Sequence, residues 1–143
     1  MLSEPARAFV ERQRVAHLAT ASADGSPHVV PVCFALVGDT VYIAIDEKPK
    51  QAEARALRRL RNIQANPRVA LVFDEYDDAD WSKLGFVLVR CVGRLVQGDQ
   101  ERVEALAALR AKYAQYRGMA LEGRPLIAAE IRRVTTWGTA DGR

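Results

Sequence analysis

The sequence has few of the side chains that carry metal or nucleophilic chemistry, with two cysteines and two histidines among 143 residues. Cys33 and Cys91 lie within apolar runs without a Cys-x-x-Cys or Cys/His spacing, so we expect free buried thiols rather than a disulfide or a metal site. His17 and His28 lie in or beside apolar runs. They give little support to a Ser/His/Asp or Cys/His mechanism, and we assign no catalytic side chain.

The sequence also lacks the segments that mark several other classes of protein. No apolar stretch approaches the roughly 20 residues that span a bilayer, and the N-terminal MLSEPARAFVERQR lacks the apolar centre of a signal peptide. There is no glycine-rich phosphate loop of the Walker or dinucleotide type. The acidic stretch DEYDDAD, residues 74–80, lacks the glycine of a calcium loop. We therefore expect a cytoplasmic protein without a membrane partner or a metal site.

Length and composition indicate one ordinary globular domain over residues 1–143. An apolar fraction of 49% and a charged fraction of 27% argue against wholesale disorder and against a fibrous repeat. The net charge of +3 permits contact with nucleic acid, but the acidic stretch would repel a phosphate backbone. We expect no nucleic-acid partner, although an arginine-rich helix keeps that alternative open.

That helix precedes the apolar strand RVALVF and is the most informative stretch of the chain. Its inward face is predicted from apolar residues at helical spacing: Ala52, Ala56, Leu60 and Ile63. Four arginines then share its remaining surface: Arg55, Arg58, Arg59 and Arg61. A bound phosphate would relieve the repulsion between these guanidiniums, although a solvated charged face is the alternative. A phosphate-binding face without a catalytic side chain points to a cofactor that carries the chemistry.

Six extended runs surround this helix, and we predict strands over residues 15–21, 28–37, 40–45, 68–73, 84–96 and 126–136. Tight turns are predicted at SADGSP and at Gly38-Asp39. Pro67 separates the basic helix from the fourth strand, and Gly93 is a candidate for a bulge in the fifth. The order of elements predicts a mainly β (α+β) fold, a six-stranded antiparallel split β-barrel with flanking helices.

Two further helices are predicted, one at the N-terminus and one after the fifth strand. Ser3 is a candidate N-cap with Pro5 in the first turn, and the helix extends to about Arg14. Its inward positions are Ala6, Phe9 and Val10. Asp99 is the expected cap of the later helix. The inward positions of that helix are Val103, Leu106, Ala107 and Leu109.

The segments VVPVCFALVGDTVYIAI and RRLRNIQANPRVALVF resemble the split-barrel flavin proteins of the pyridoxamine 5'-phosphate oxidase-like superfamily, over nearly the whole chain. DEKPK, RRLRN-x-x-x-NPRV and DADWSKLGFVLVRCVGRL, with the late Trp137, resemble its actinobacterial branch of probable oxidoreductases that use the deazaflavin coenzyme F420. The resemblance implies hydride transfer between F420 and a small or planar unsaturated substrate. It also implies a homodimer with its sites between the subunits.

The resemblance assigns cofactor contacts by position. In the superfamily a basic pair holds the cofactor phosphate, and Arg58 and Arg59 occupy that place. The strand along the ring system corresponds to four consecutive residues: Val30, Pro31, Val32 and Cys33. Lys48 and Lys50 are candidates for the longer acidic tail of a deazaflavin, and Trp81 for a cover over the ring or the substrate cleft.

The resemblance leaves two alternatives open and argues against a third. FMN is the alternative cofactor, because its tail also begins with a phosphate on a ribityl-type chain. A non-enzymatic module that binds a flavin or tetrapyrrole would share the same cradle. Pyridoxamine oxidation itself is not expected, because the chain ends at TTWGTADGR without the basic C-terminal segment of the true oxidases.

Overall fold

The computed structural model describes residues 1–46 and 58–142. Within them, the helices are α1 (Glu4–Arg12), α2 (residues 58–65) and α3 (Asp99–Lys112). The strands are β1 (Ala16–Ala21), β2 (Pro27–Val32), β3 (Ala35–Val37), β4 (Thr40–Ala44), β5 (Arg68–Glu75), β6 (Gly85–Leu95) and β7 (Leu126–Gly138). Short 3-10 helices cover Trp81–Lys83, Ala114–Gly118 and Thr139–Asp141. Three predicted positions of the basic helix lie outside the described residues: Ala52, Arg55 and Ala56.

The strands form one antiparallel sheet in the order β2-β1-β5-β6-β7-β4-β3. β2 and β3 are its two outer strands, yet only Cys33 and Phe34 separate them in sequence. Because consecutive Cα atoms are about 3.8 Å apart, Val32 and Ala35 lie within about 11 Å of each other. The two edges of the sheet must therefore come close together, and the sheet curls. This confirms the mainly β, antiparallel split-barrel prediction.

The strand count differs from the prediction, because residues 28–37 form two strands instead of one. Val32 pairs with Ala16 of β1, whereas Ala35 pairs with Tyr42 of β4, at the opposite edge of the sheet. One continuous strand cannot pair with both neighbours, so the chain breaks at residues 33–34. The backbone N–H of Phe34 donates instead to Oη of Tyr113, at 3.1 Å.

The larger hydrophobic core lies inside the curled sheet and is covered by α1. The prediction for α1 is confirmed in its buried face, which is formed by Ala6, Phe9 and Val10. Ser3 is its N-cap, with Oγ accepting from the N–H of Ala6 at 3.2 Å. The helix ends at Arg12, two residues before the predicted end.

A second core cluster lies under α3, and here two predictions are wrong. The N-cap is Gly98, and Asp99 is the first residue of the helix. Val103, predicted to face inward, is 64% exposed, and Ala107 is exposed as well. The buried face is formed by Ala105, Leu106 and Leu109. Residues 105 and 109 are four apart and share one side of the helix, which turns residues 103 and 107 toward solvent.

Two common functional features are absent from the part of the chain that the structure describes. None of its helices is long and apolar enough to cross a membrane. Residues 1–46 and 58–142 also contain no group of three or more His, Cys, Asp and Glu side chains placed to hold a metal ion.

Candidate functional site

α2 packs tightly against the sheet because of a glycine and a buried hydrogen bond. A Cβ added at Gly93 of β6 would lie 3.4 Å from Ile63 and 3.3 Å from Val69. Gly93 therefore gives room for the helix, while the irregularity in β6 falls at Arg90/Cys91 rather than at the predicted Gly93. Asn62 Nδ2 donates to Oγ1 of Thr20 in β1 at 3.0 Å, and both side chains are buried. These contacts fix the orientation of the helix and of its arginines.

The structure divides the arginines of α2 between solvent and interior. Arg58 and Arg61 are exposed, but Arg59 is only 4% exposed, so the prediction that all of them share the outer surface is wrong for Arg59. Arg59 lies three and four residues before Asn62 and Ile63, which places the three on one buried face. Arginine is rarely buried this far, because removing a guanidinium from water is costly unless its charge is compensated.

Arg59 lines a cavity of about 180 Å³ together with residues of β2 and β4. The lining residues are Val15, Pro31, Val32, Cys33, Ile43, Ala44, Asp46 and Arg59. The structure thus brings one predicted phosphate ligand beside three of the four residues predicted to follow the ring. Val30, the fourth, packs against the core and is not part of the lining. Asp46 accepts a hydrogen bond from the hydroxyl of Tyr116, which orients its carboxylate.

The edge position of β2 suits recognition through the backbone. β2 pairs only with β1, so the backbone groups directed away from β1 have no strand partner within the described residues. Pro31 contributes a carbonyl but no N–H, so donation must come from its neighbours. Cys33 and Cys91 are both free thiols, as predicted, but Cys33 is only half-buried.

The remaining predicted site residues are not gathered at this cavity. Trp81 is 68% exposed in the short 3-10 helix and is not among the lining residues. Lys48 and Lys50 lie outside the described residues. Arg58 is exposed at the first described position of α2, beside the buried Arg59.

His28 is a residue of this region that the sequence did not single out. It lies in β2 opposite Thr20, the residue to which α2 is hydrogen-bonded. Burial, and then the positive charges of Arg58 and Arg59, lower the pKa of His28. Its Nδ1 is buried and makes no hydrogen bond to any residue that the structure describes. The sequence pattern could have indicated this position, because His28 alternates with Val30 and Val32 and so shares one side of the strand with them.

The crossover from β2 to β3 is held by residues at the end of α3. Nζ of Lys112 lies 3.5 Å from the centre of the Phe34 ring. Burial lowers the pKa of Lys112 to about 8. Oη of Tyr113 accepts from Phe34 and donates to the carbonyl of Arg14 at 2.8 Å. These contacts fix the positions of Cys33 and Phe34, and Cys33 lines the cavity.

Comparison with protein families assigns the fold to a known group. The family model for pyridoxamine 5'-phosphate oxidase matches residues 2–138. The chain belongs to the pyridoxamine 5'-phosphate oxidase family. The match covers α1, the complete sheet and α3, so the candidate cavity lies within the family's common fold. A comparison with curated proteins finds no significant sequence match.

Solved structures with the same fold carry different ligands in their names. A conserved hypothetical protein from Mycobacterium tuberculosis has 23% identity and a TM-score of 0.70, over 100% of this chain and 89% of its own. A FAD-binding protein from Mesorhizobium loti also has 23% identity and a TM-score of 0.70, over 94% of each chain. The heme storage protein HutZ from Vibrio cholerae has 17% identity and a TM-score of 0.66, over 96% and 94%. At these identities the likeness shows the fold alone.

Proposed function

We propose that this protein binds a phosphate-bearing flavin or deazaflavin and acts as an oxidoreductase on a small or planar unsaturated substrate, with coenzyme F420 as the first candidate and FMN as the alternative. One observation carries the proposal. The buried Arg59 lines the same cavity as Pro31, Val32 and Cys33 of the edge strand. A buried cation beside unpaired backbone groups fits a ligand that combines an anionic tail with a heteroaromatic ring.

The protein's contribution would be binding, orientation and the exclusion of water. When bound, the cofactor would supply the hydride chemistry. Arg59, with the neighbouring exposed Arg58, would hold the phosphate, while the backbone of β2 would orient the ring edge. Asp46 adds a carboxylate to the lining, which would accept from ring N–H groups and repel a phosphate. Apolar neighbours such as Ile43 would keep water from the ring.

The cavity suggests that a second copy of the chain completes the site. About 180 Å³ is less than small-molecule sites usually enclose, roughly 300–1,000 Å³, so the described residues of one chain surround only part of a cofactor. The outer face of the sheet is the surface that a second copy would cover. It displays apolar side chains from four strands: Val29 and Pro31 of β2, Val72 of β5, Leu88 of β6 and Trp137 of β7. We propose a homodimer packed on this face.

The proposal is tested by equilibrium binding of F420 and of FMN to purified protein. Arg59→Ala should weaken the preferred cofactor by roughly 1.5–3 kcal/mol, about 10- to 150-fold, because a charge-assisted contact is lost. Arg61→Ala is the matched control, since it removes an exposed arginine from the same helix. The apo melting temperature of both variants shows whether they remain folded. Equal cofactor affinity in wild type and a folded Arg59→Ala variant would contradict the proposal.

A non-enzymatic heme-binding role is the second candidate, favoured by the similar fold of HutZ. The two functions differ in an observable way. An oxidoreductase should oxidise reduced F420 or FMN catalytically when a substrate is supplied. A storage protein should bind heme stoichiometrically, with a heme absorption band and no turnover of either flavin.

A further inference from the structure

We propose that His28 is a third group of the anion site, beside Arg58 and Arg59, and that its imidazole takes up a proton when the anion binds. The inference rests on the proposed function in placing an anion at these arginines. It goes further by naming a residue outside that assignment and by predicting that binding depends on pH.

The register of the strands places His28 against α2. His28 pairs with Thr20 across β1 and β2, and Thr20 accepts a hydrogen bond from Asn62 of the helix. Arg58 lies four residues, about one helical turn, before Asn62. It therefore lies on the same side of the helix as Asn62, one turn closer to the N-terminus. The charges of Arg58 and Arg59 both act on the imidazole.

One ring nitrogen of His28, Nδ1, is buried without a hydrogen-bond partner among the described residues, 1–46 and 58–142. A buried polar atom without a partner is costly, and the charged imidazole would add a second N–H donor. An oxyanion held by the arginines would accept a hydrogen bond from one of these donors and offset the cost of the unpaired buried nitrogen.

The charges around His28 set the direction of the effect. Burial is the main cause of the lowered pKa of His28, and the positive charges of Arg58 and Arg59 on α2 lower it further. Thr20, which pairs with His28 from β1, is uncharged. In the absence of an anion these surroundings favour the neutral imidazole. A bound dianion offsets the two positive charges and raises the affinity of His28 for a proton. By linkage, anion affinity must then rise as the pH falls toward and below the ordinary histidine pKa of about 6.5.

Inorganic sulfate is the appropriate probe, because it stays a dianion across this range. A phosphate monoester such as FMN gains a proton of its own near pH 6, which would obscure the change at His28. One linked proton lets the affinity change at most tenfold per pH unit, so we expect sulfate to bind about three- to tenfold more tightly at pH 5.5 than at pH 7.5.

NMR titration of the two histidines measures the proton directly. Saturating sulfate should raise the pKa of His28 and leave the NMR signals of His17 at neutral pH unshifted. His17 is the internal control, since it lies on the outer face of β1 beside Asp74. His28→Gln keeps a side-chain donor but cannot be charged, so it should remove most of the pH dependence of sulfate binding.

The outcomes separate this inference from the proposed function. A His28 pKa that does not move at saturating sulfate, a His28→Gln variant with the full pH dependence, or no sulfate binding at all would overturn the inference. If sulfate raises the pKa of His28 but neither F420 nor FMN binds, the anion site stands and the proposed function fails. If a cofactor binds without changing His28, the proposed function stands and this inference fails.

Discussion

Gly138, at the end of β7, has a backbone conformation that other residues rarely adopt. Its φ is 68°, and a Cβ at this position would lie 2.1 Å from the carbonyl oxygen of Leu84. The same oxygen accepts from the N–H of Thr139 at 3.0 Å, so it cannot move without breaking the closure of β6 on β7. Gly138→Ala should lower the free energy of unfolding by about 2–4 kcal/mol, measured by denaturant titration.

Gly25→Ala is the matched control for this substitution. Gly25 also has a positive φ, 87°, but a Cβ there would meet nothing within 4 Å. Its replacement should cost only the conformational strain, about 1–2 kcal/mol. Equal losses of stability in the two variants would show that the nearby carbonyl oxygen of Leu84 contributes nothing. The positive φ alone would then explain the glycine at position 138.

At the scale of elements, an ion cluster joins α3 to the sheet. Arg94 of β6 donates through Nε to Glu130 of β7 at 2.6 Å. Its two terminal nitrogens donate to Glu101 of α3 at 2.8 and 2.6 Å. Glu101 also accepts from the hydroxyl of Tyr42 in β4, at 2.6 Å. The carboxylate of Glu101 accepts from both terminal nitrogens of Arg94 and from Tyr42. Such a pair holds α3 against the sheet more firmly than an isolated surface ion pair would.

Glu101 should make the stability of the protein depend on pH. Arg94, and then the Tyr42 hydroxyl, lower the pKa of Glu101 from an ordinary value of 4.5 to about 2. A carboxyl whose folded pKa is depressed stabilises the protein above its unfolded pKa, and this is lost as the pH falls from about 4.5 to 2. Glu101→Gln should cost about 1–2 kcal/mol at pH 7, discounted for partial exposure, and flatten the pH dependence of unfolding.

Glu122→Gln provides the comparison. The Arg110 guanidinium likewise lowers the pKa of Glu122 to about 2, but the Glu122 side chain is 66% exposed, against 27% for Glu101. Solvent screens the exposed pair, so its replacement should change stability far less. Urea titrations at pH 7 and pH 3 distinguish the two variants. A larger loss for Glu122→Gln would contradict the role given to burial here.

For the whole molecule, the sequence predicts the positions of the strands better than it predicts how the two edges of the sheet come together. Alternating apolar runs place most strands within one or two residues, because burial on one face leaves a period of two. The break at Cys33–Phe34 is not predictable in this way, since the apolar run continues without a turn residue from Val32 to Val37. It arises from which neighbour each half pairs with, and from the Tyr113 hydroxyl that receives the Phe34 N–H.

The residues of the candidate site are likewise only partly predictable from the sequence. Resemblance singles out Arg59 and the end of β2, which line one cavity with Asp46, but local periodicity treats Arg59 as a solvent-facing residue. Its burial depends on Asn62 reaching Thr20 and on the space that Gly93 leaves for the helix. Both partners lie more than 25 residues away in sequence. Such contacts decide which charge of a basic helix becomes internal, and only the folded chain shows them.

The proposed homodimer gives the last prediction. Val29 lies 65% exposed on the outer face of the edge strand, and Val29→Arg would place a charge in the interface. Sedimentation equilibrium should then show monomers, and cofactor affinity should fall at least tenfold because the second wall of the cavity is lost. Val103→Arg is the control, since Val103 is 64% exposed on α3, which packs beside β3 and carries none of the proposed interface residues. A Val29→Arg protein that stays dimeric would place the interface elsewhere, whereas a monomer with unchanged cofactor affinity would show that one chain forms the whole site.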